Sequence, residues 1–248
     1  ISCQSVTKDI LNNEKENFHF IVGNFSNLSD EVKIYMCKNV SYSIIEYDYK
    51  ICEHRSLQLH KLREGSDCDC ETRKSGQINS AFYGYADKIW FMSEEQKQIF
   101  LSKVKVLKEE NCEVLSSVFN VGDLRFMNNI KDNKKDDNYL IMTSQHWIKN
   151  VENTVEYAKE NKLNYELVGS LPYHEFLIKL STSKGLIFHP RGHDTCPRLA
   201  IEAKLLGCEL LLNDNVQHKN EDWFQSQDSC LAHMNSRTET FWSYYEKQ

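Results

Sequence analysis

Short apolar runs, separated by stretches with helical periodicity, divide the chain into alternating strands and helices. In the first half, Phe18–Val22, Tyr42–Glu46, Lys88–Met92 and Glu113–Leu115 predict strands; in the second half, Tyr139–Thr143, Tyr165–Val168, Gly185–Phe188 and Glu209–Leu212 do so. Between the later strands, Val151–Asn161, Tyr173–Ser183 and Leu199–Leu206 predict helices. Ser93-Glu94-Glu95-Gln96 has the residue types of a capping box and predicts a helix start at Ser93. Strands recurring at βαβ intervals imply an α/β fold of doubly wound parallel sheets covered on both faces. The break in this rhythm is Asn128–Asn138 (NNIKDNKKDDN), a charged stretch that predicts a linker or exposed loop.

Composition narrows the class. A chain of 248 residues can form one large domain or two small ones with real cores. At 40% hydrophobic and 11% aromatic residues it is neither disordered nor fibrous. A formal net charge of −6 argues against nucleic acid as a main partner. No apolar run approaches membrane-spanning length, which leaves peripheral membrane contact at most, and ISCQSVTKDI lacks the pattern of a signal peptide. Nine cysteines, an odd number, suit a reducing compartment better than a disulfide framework and predict a cytoplasmic protein. Neither a P-loop nor a G-x-G-x-x-G fingerprint occurs, and Ser116-Ser117 has no nucleophile-elbow frame.

Two clusters in the first half carry chemistry. Cys52, His60, Cys68 and Cys70 fall in a polar, poorly patterned stretch and offer the three thiols and one imidazole of a structural zinc site, with His54 as an alternative ligand. The spacing C-x7-H-x7-C-x-C is not that of a standard finger, so free thiols or a redox pair stand beside the zinc reading. Glu46-Tyr47-Asp48-Tyr49 follows a strand end. There Asp48 could receive a hydroxyl proton and the tyrosines could stack on sugars; a surface turn is the plainer reading.

The span Leu186–Trp223 is the most informative. Leu186-Ile187-Phe188 predicts a strand running into the polar loop His189-Pro190-Arg191-Gly192-His193-Asp194, with a helix opening at Thr195. Asp194 then lies just outside the helix and Glu202 about two turns inside, leaning back toward the loop. Free N–H groups of Cys196, Arg198 and their neighbours would favour an anion there. A carboxylate able to hold ribose hydroxyls beside a diphosphate cradle outlines a nucleotide-sugar site; a plain helix cap with a solvated Glu202 is the alternative. Of His146, His189, His193 and His218, which cluster in the loops of the second half, His146 and His193 flank this loop.

This stretch resembles the donor-binding core of retaining GT-B glycosyltransferases, the group related to glycogen and sucrose synthases. Their E-x7-E signature is matched by Asp194-x7-Glu202, with Pro190 ahead of it and Ala203 and Gly207 behind, an Asp standing for the first Glu. The resemblance covers about residues 85–225 and implies two small Rossmann-like domains facing a cleft. They would span residues 1–120, with a cysteine-rich insert at about 50–75, and 121–248, with Leu115–Asn120 as the crossing. It further implies that a terminal helix over Thr238–Lys247 crosses back to the first domain.

The resemblance also implies sugar transfer from a nucleoside-diphosphate-sugar donor to a glycan or glycolipid hydroxyl, with retention and no catalytic metal. Asp194 would contact the transferred sugar and Glu202 the ribose. Lys149 matches the lysine that grips the donor diphosphate, while Ser144 stands where an arginine is usual, so Arg191 or Arg198 would supply that charge. Thr195 and Cys196 would complete the cradle, and the turn Gly169-Ser170-Leu171 would run beside the base. The family's glycine-rich loop has only Gly23-Asn24-Phe25-Ser26 as a counterpart. A non-catalytic sugar-nucleotide or glycan binder, or a sugar-nucleotide epimerase of this fold, are the competing readings.

Overall fold

In the computed structural model, which describes residues 1–246, eight strands form within two residues of the expected positions. The first sheet orders β1 (Phe20–Val22), β2 (Tyr42–Glu46), β3 (Lys88–Phe91) and β4 (Cys112–Val114) in sequence. The second places β5 (Tyr139–Met142), β6 (Tyr165–Val168), β7 (Gly185–Phe188) and β8 (Glu209–Leu212) in the order β6-β5-β7-β8. Every strand pair is parallel. The inner strands were legible because such strands of a parallel sheet are covered on both faces and favour apolar residues: β3 and β7 are buried at every position.

Helices α1 (Lys8–Glu14), α2 (Asp30–Asn39), α3 (Leu57–Glu64), α4 (Lys74–Gly84) and α5 (Glu94–Lys103) belong to the first sheet's unit. Helices α6 (Val121–Ile130), α7 (Val151–Glu160), α8 (Tyr173–Ser181), α9 (Arg198–Leu205) and α10 (Gln227–Tyr245) belong to the second. Serine caps set several starts: the hydroxyls of Ser29, Ser56 and Ser93 accept from Val32, Leu59 and Gln96 N–H. The chain divides after Leu115 into two compact units, where the sequence suggested a division near residue 120. Of the two readings of the charged stretch Asn128–Asn138, the exposed loop holds for most of it and the interdomain linker does not. Its first three residues finish α6, and the rest is pinned inside the second unit by Asn133 Nδ2 on Ser181 Oγ (2.8 Å) and Lys135 Nζ on Ser181 O (2.9 Å). Helix α10 packs on α9 and α6 of its own unit; Lys247, the last residue of the expected terminal helix, lies outside the described residues.

The cores differ in kind. In the first unit aromatic rings dominate, with Tyr42 stacked on Phe82 (4.7 Å) and Phe100 against Phe91 (5.0 Å). In the second, Tyr139, Ile141, Ala158 and Ile187 fill the space between β5, β7 and α7. Among the described residues no helix is long and apolar enough to cross a membrane.

The two sheets also differ in how they can hold a ligand. The first runs steadily from β1 to β4, whereas the second reverses: the chain leaves β5 toward β6, then returns past it to β7. At such a reversal the loops from the carboxyl ends of the two central strands diverge and leave a crevice, the usual ligand position in open parallel sheets.

Candidate functional site

The loops at that reversal are Thr143–Asn150, after β5, and His189–Pro197, after β7. They are stitched together: Asn150 Nδ2 donates to His189 O (2.9 Å), Arg191 N to Ile148 O (2.8 Å) and Arg191 Nε to Asn150 Oδ1 (3.2 Å). Asn150 holds a left-handed backbone (φ 52°, ψ 42°), which asparagine tolerates better than most residues. Across the stitched loops, Lys149 Nζ meets Asp194 Oδ2 at 2.9 Å and lies 4.9 Å from the Phe188 ring centre. Asp194 is fixed by its backbone as well, its N–H donating to Asn215 O (2.8 Å) and its carbonyl accepting from Gln217 N (3.2 Å). The two residues singled out in sequence thus converge as an ion pair. The ammonium keeps two further donors for a ligand.

The start of α9 departs from expectation. The helix opens at Arg198, not Thr195, because Pro197 is extended (φ −65°, ψ 113°) and disfavours a helical residue before it. Ala200 N–H is taken by Pro197 O (3.0 Å), so the forward-facing N–H groups are those of Arg198 and Leu199. Cys196 offers no side chain to a cradle. It is buried, Ser117 Oγ donates to its carbonyl (3.2 Å) and sulfur (3.4 Å), and burial pushes its thiol up to about 12. Thr195 is buried too.

Glu202 is one turn inside the helix, at i+4 from Arg198, and not two turns inside. It is 5% exposed, accepts from Tyr173 Oη (2.9 Å) and lies 3.7 Å from Arg198 Nε. Burial raises its pKa, and Tyr173 and Arg198 partly offset that. Arg198 in turn lies over the Phe119 ring at 4.3 Å. Gly169, Ser170 and Leu171 are exposed after β6 and lead directly into Tyr173. Tyr173 and Asn150 were missed in sequence. Asn150 had a signal, an asparagine directly before a helical run; Tyr173 had none, since its partner comes from another helix.

Asp48 sits in the first unit, beyond the end of β2, where its surroundings make it a weak base. Its Oδ1 takes Lys50 Nζ (3.1 Å) and its Oδ2 takes Arg55 Nε (2.9 Å). Burial alone would raise its pKa, but Lys50 and Arg55 outweigh it and hold the carboxyl below its ordinary value. Beside it, fully buried Glu46 accepts from Lys50 Nζ (2.8 Å) and from Tyr83, and burial raises it to about 7. Gly23 has no need to be glycine: a Cβ there would meet only a Tyr47 ring carbon at 3.6 Å. Cys52, His60, Cys68 and Cys70 converge in a buried cluster of the same unit.

The histidines have separate fates. His146 is exposed, and its N–H donates to Ser144 Oγ (3.1 Å); His189 is half-buried against Tyr157 (4.4 Å). His218 is wholly buried between Trp223 and Phe224, and neither ring nitrogen makes a hydrogen bond among the described residues. Burial lowers His218 to about 3, and His233, also stacked on Trp223, to about 4. Both stay neutral in the fold while the unfolded chain protonates near 6.5. Stability is therefore complete above about pH 6.5 and declines as pH falls toward 4, at up to about 1.4 kcal/mol per pH unit for His218. Melting temperatures between pH 4.5 and 7.5 should show this slope, and His218→Phe should flatten it. Superimposed profiles for the two proteins would refute the assignment.

No protein-family model matches the chain, and comparison with curated proteins yields no match. Solved structures share its architecture. A UDP-forming α,α-trehalose-phosphate synthase from Burkholderia xenovorans superposes with TM-score 0.60 at 9% identity, over 95% of this chain and 69% of that one. A sucrose-phosphate synthase from Thermosynechococcus elongatus gives 0.56 at 11%, over 96% and 76%. A trehalose-6-phosphate synthase, solved to study glycosyl transfer with retention, gives 0.53 at 10%, over 88% and 65%. The fold is that of the GT-B glycosyltransferases. At these identities the likeness is one of fold, and chemistry has to be argued from the residues.

Proposed function

We propose that this protein is a GT-B glycosyltransferase that moves a sugar from a nucleoside-diphosphate donor to an acceptor hydroxyl with retention, and that its second unit binds the donor. The observation that carries the reading is the Lys149–Asp194 pair, set on two stitched loops at the sheet reversal. Lys149 supplies a cation for the departing diphosphate, and the Arg198 and Leu199 N–H groups at the start of α9 add oriented donors. Asp194 offers the sugar a carboxylate on a rigid backbone. Glu202 reaches the ribose as a partly neutralised acceptor, oriented by Tyr173 and Arg198. Arg191, tied to Asn150, lines the same loop as a second cation.

One observation favours a non-catalytic nucleotide-sugar binder instead. Asp48, the first-unit carboxylate suggested as a base, has both oxygens engaged by cations. A donor panel distinguishes the two readings, with uridine diphosphate sugars first because one structural relative is UDP-forming. Slow, donor-specific release of nucleoside diphosphate, accelerated by an acceptor sugar, is the expected result. Saturable binding without release of diphosphate from any donor would assign the binder; no binding at all would remove both readings.

A further inference from the structure

Between β2 and α4 the chain has little regular structure, only α3 and a single turn at Cys70–Thr72, and yet its centre is buried. Cys52 comes from the turns after β2. His60 lies on α3, whose start Ser56 caps and whose end is the left-handed Gly65 (φ 73°). Cys68 and Cys70 follow that glycine. Gly76, in the first turn of α4, lets the helix lie against Cys70: a Cβ there would stand 1.8 Å from the Cys70 carbonyl oxygen.

The three sulfurs and the imidazole nitrogen all lie within 4.8 Å of one another, on residues no more than 7% exposed. His60 Nδ1 is 3.5 Å from Cys70 Sγ and 3.8 Å from Cys52 Sγ. A tetrahedral zinc ion with zinc–sulfur bonds of about 2.3 Å and zinc–nitrogen bonds of about 2.0 Å requires sulfur-to-nitrogen edges of about 3.5 Å and sulfur-to-sulfur edges of about 3.8 Å. The edges from His60 Nδ1 to Cys70 and Cys52 already have nearly this length, and no edge of the cluster exceeds 4.8 Å.

The surroundings point the same way. Among the described residues His60 Nε2 is buried without a hydrogen-bond partner, 3.8 Å from Glu64 Oε2. Glu64 is held in place by Arg73 Nη2 (2.9 Å) and His54 Nε2 (2.9 Å). If Nδ1 ligates a metal, the ring proton resides on Nε2 and faces this carboxylate, the usual outer partner of a metal-bound histidine. Lys103 Nζ donates to Cys68 O (2.7 Å) and fixes the backbone of that ligand.

We propose that Cys52, His60, Cys68 and Cys70 bind one zinc ion in a closed structural site that orders the segment between β2 and α4. On binding, the three thiols each release a proton to solvent and neutral Nδ1 donates its lone pair, filling four positions and leaving none for a substrate. Soft sulfur ligands in tetrahedral array favour zinc over the hard cations.

Native mass spectrometry of the full chain, purified without chelator, should find one zinc per chain, and cobalt(II) substitution should give the intense visible bands of a tetrahedral thiolate site. Cys68→Ser with Cys70→Ser should lower zinc content more than about tenfold, while Cys37→Ser keeps it. Glu64→Gln should keep the stoichiometry and weaken affinity by about ten- to a hundredfold. If the double variant does not fold, the wild-type cobalt spectrum decides. Metal-free wild-type protein whose melting is indifferent to chelator, an octahedral cobalt spectrum, zinc retained in the double variant, or a metal-free disulfide would each overturn the proposal.

Discussion

Asp194→Asn is expected to lower sugar-transfer turnover by about two to three orders of magnitude while nucleoside diphosphate affinity holds or rises slightly. The first part follows from the role proposed for the carboxylate: removing one preorganised charge next to a reacting centre typically costs about 10²–10³ in rate. The second follows from its partner. Lys149 Nζ now gives one donor to Asp194 Oδ2 at 2.9 Å, and an amide in its place leaves the ammonium freer for phosphate oxygens. The backbone bonds of Asp194 to Asn215 and Gln217 do not involve its side chain, so the loop should keep its shape. A product-formation assay beside a calorimetric titration measures both quantities. Parallel loss of binding and turnover would mean that the side chain only shapes the loop.

Gly185→Ala should be among the most damaging single changes in the second unit. β7 lies between β5 and β8, and a Cβ at position 185 would stand 2.2 Å from Glu209 O and 2.8 Å from the Tyr139 ring. The first neighbour is backbone in a paired strand and cannot turn aside. Overpacking of this kind costs about 1–3 kcal/mol, and with backbone displacement the upper end is expected, a fall in melting temperature on the order of 10 °C. Gly169→Ala is the matched control: its Cβ would meet only Thr143 Oγ1 at 3.7 Å, so little change is expected. Equal stability of the two variants would mean that the sheet yields at β7.

What could be read from the chain alone divides by the range of the interactions involved. β2 and β7 were legible to the residue because burial on both faces favours apolar positions throughout, and the half-exposed edge strands β6 and β8 by their short β-favouring runs between turn residues. The reversal at β5 was not, since strand order depends on which edges meet. At the site, the spacing of Asp194 and Glu202 was legible, but their partners were not. Lys149 reaches Asp194 from a different loop, and Tyr173 reaches Glu202 from a different helix. The late start of α9 was available from Pro197, whose effect on the residue before it is local. Asp48 could not be judged without Arg55, which is brought to it through a left-handed turn (φ 54°) that no residue type announces. The Cys/His cluster was visible as a composition; its convergence needed the fold.

The lysine and the carboxylate on the stitched loops already satisfy one another, so Lys149 at rest is half of an ion pair and not a free cation. A small univalent anion entering there would compete with the Asp194 carboxylate for Lys149 and be repelled by it, with little gain. A ligand carrying linked negative charges and hydroxyl donors can give Lys149 its anion and Asp194 its protons together. Mutual neutralisation thus acts as an exclusion filter against simple anions such as chloride, at a position that a ligand of mixed polarity can hold.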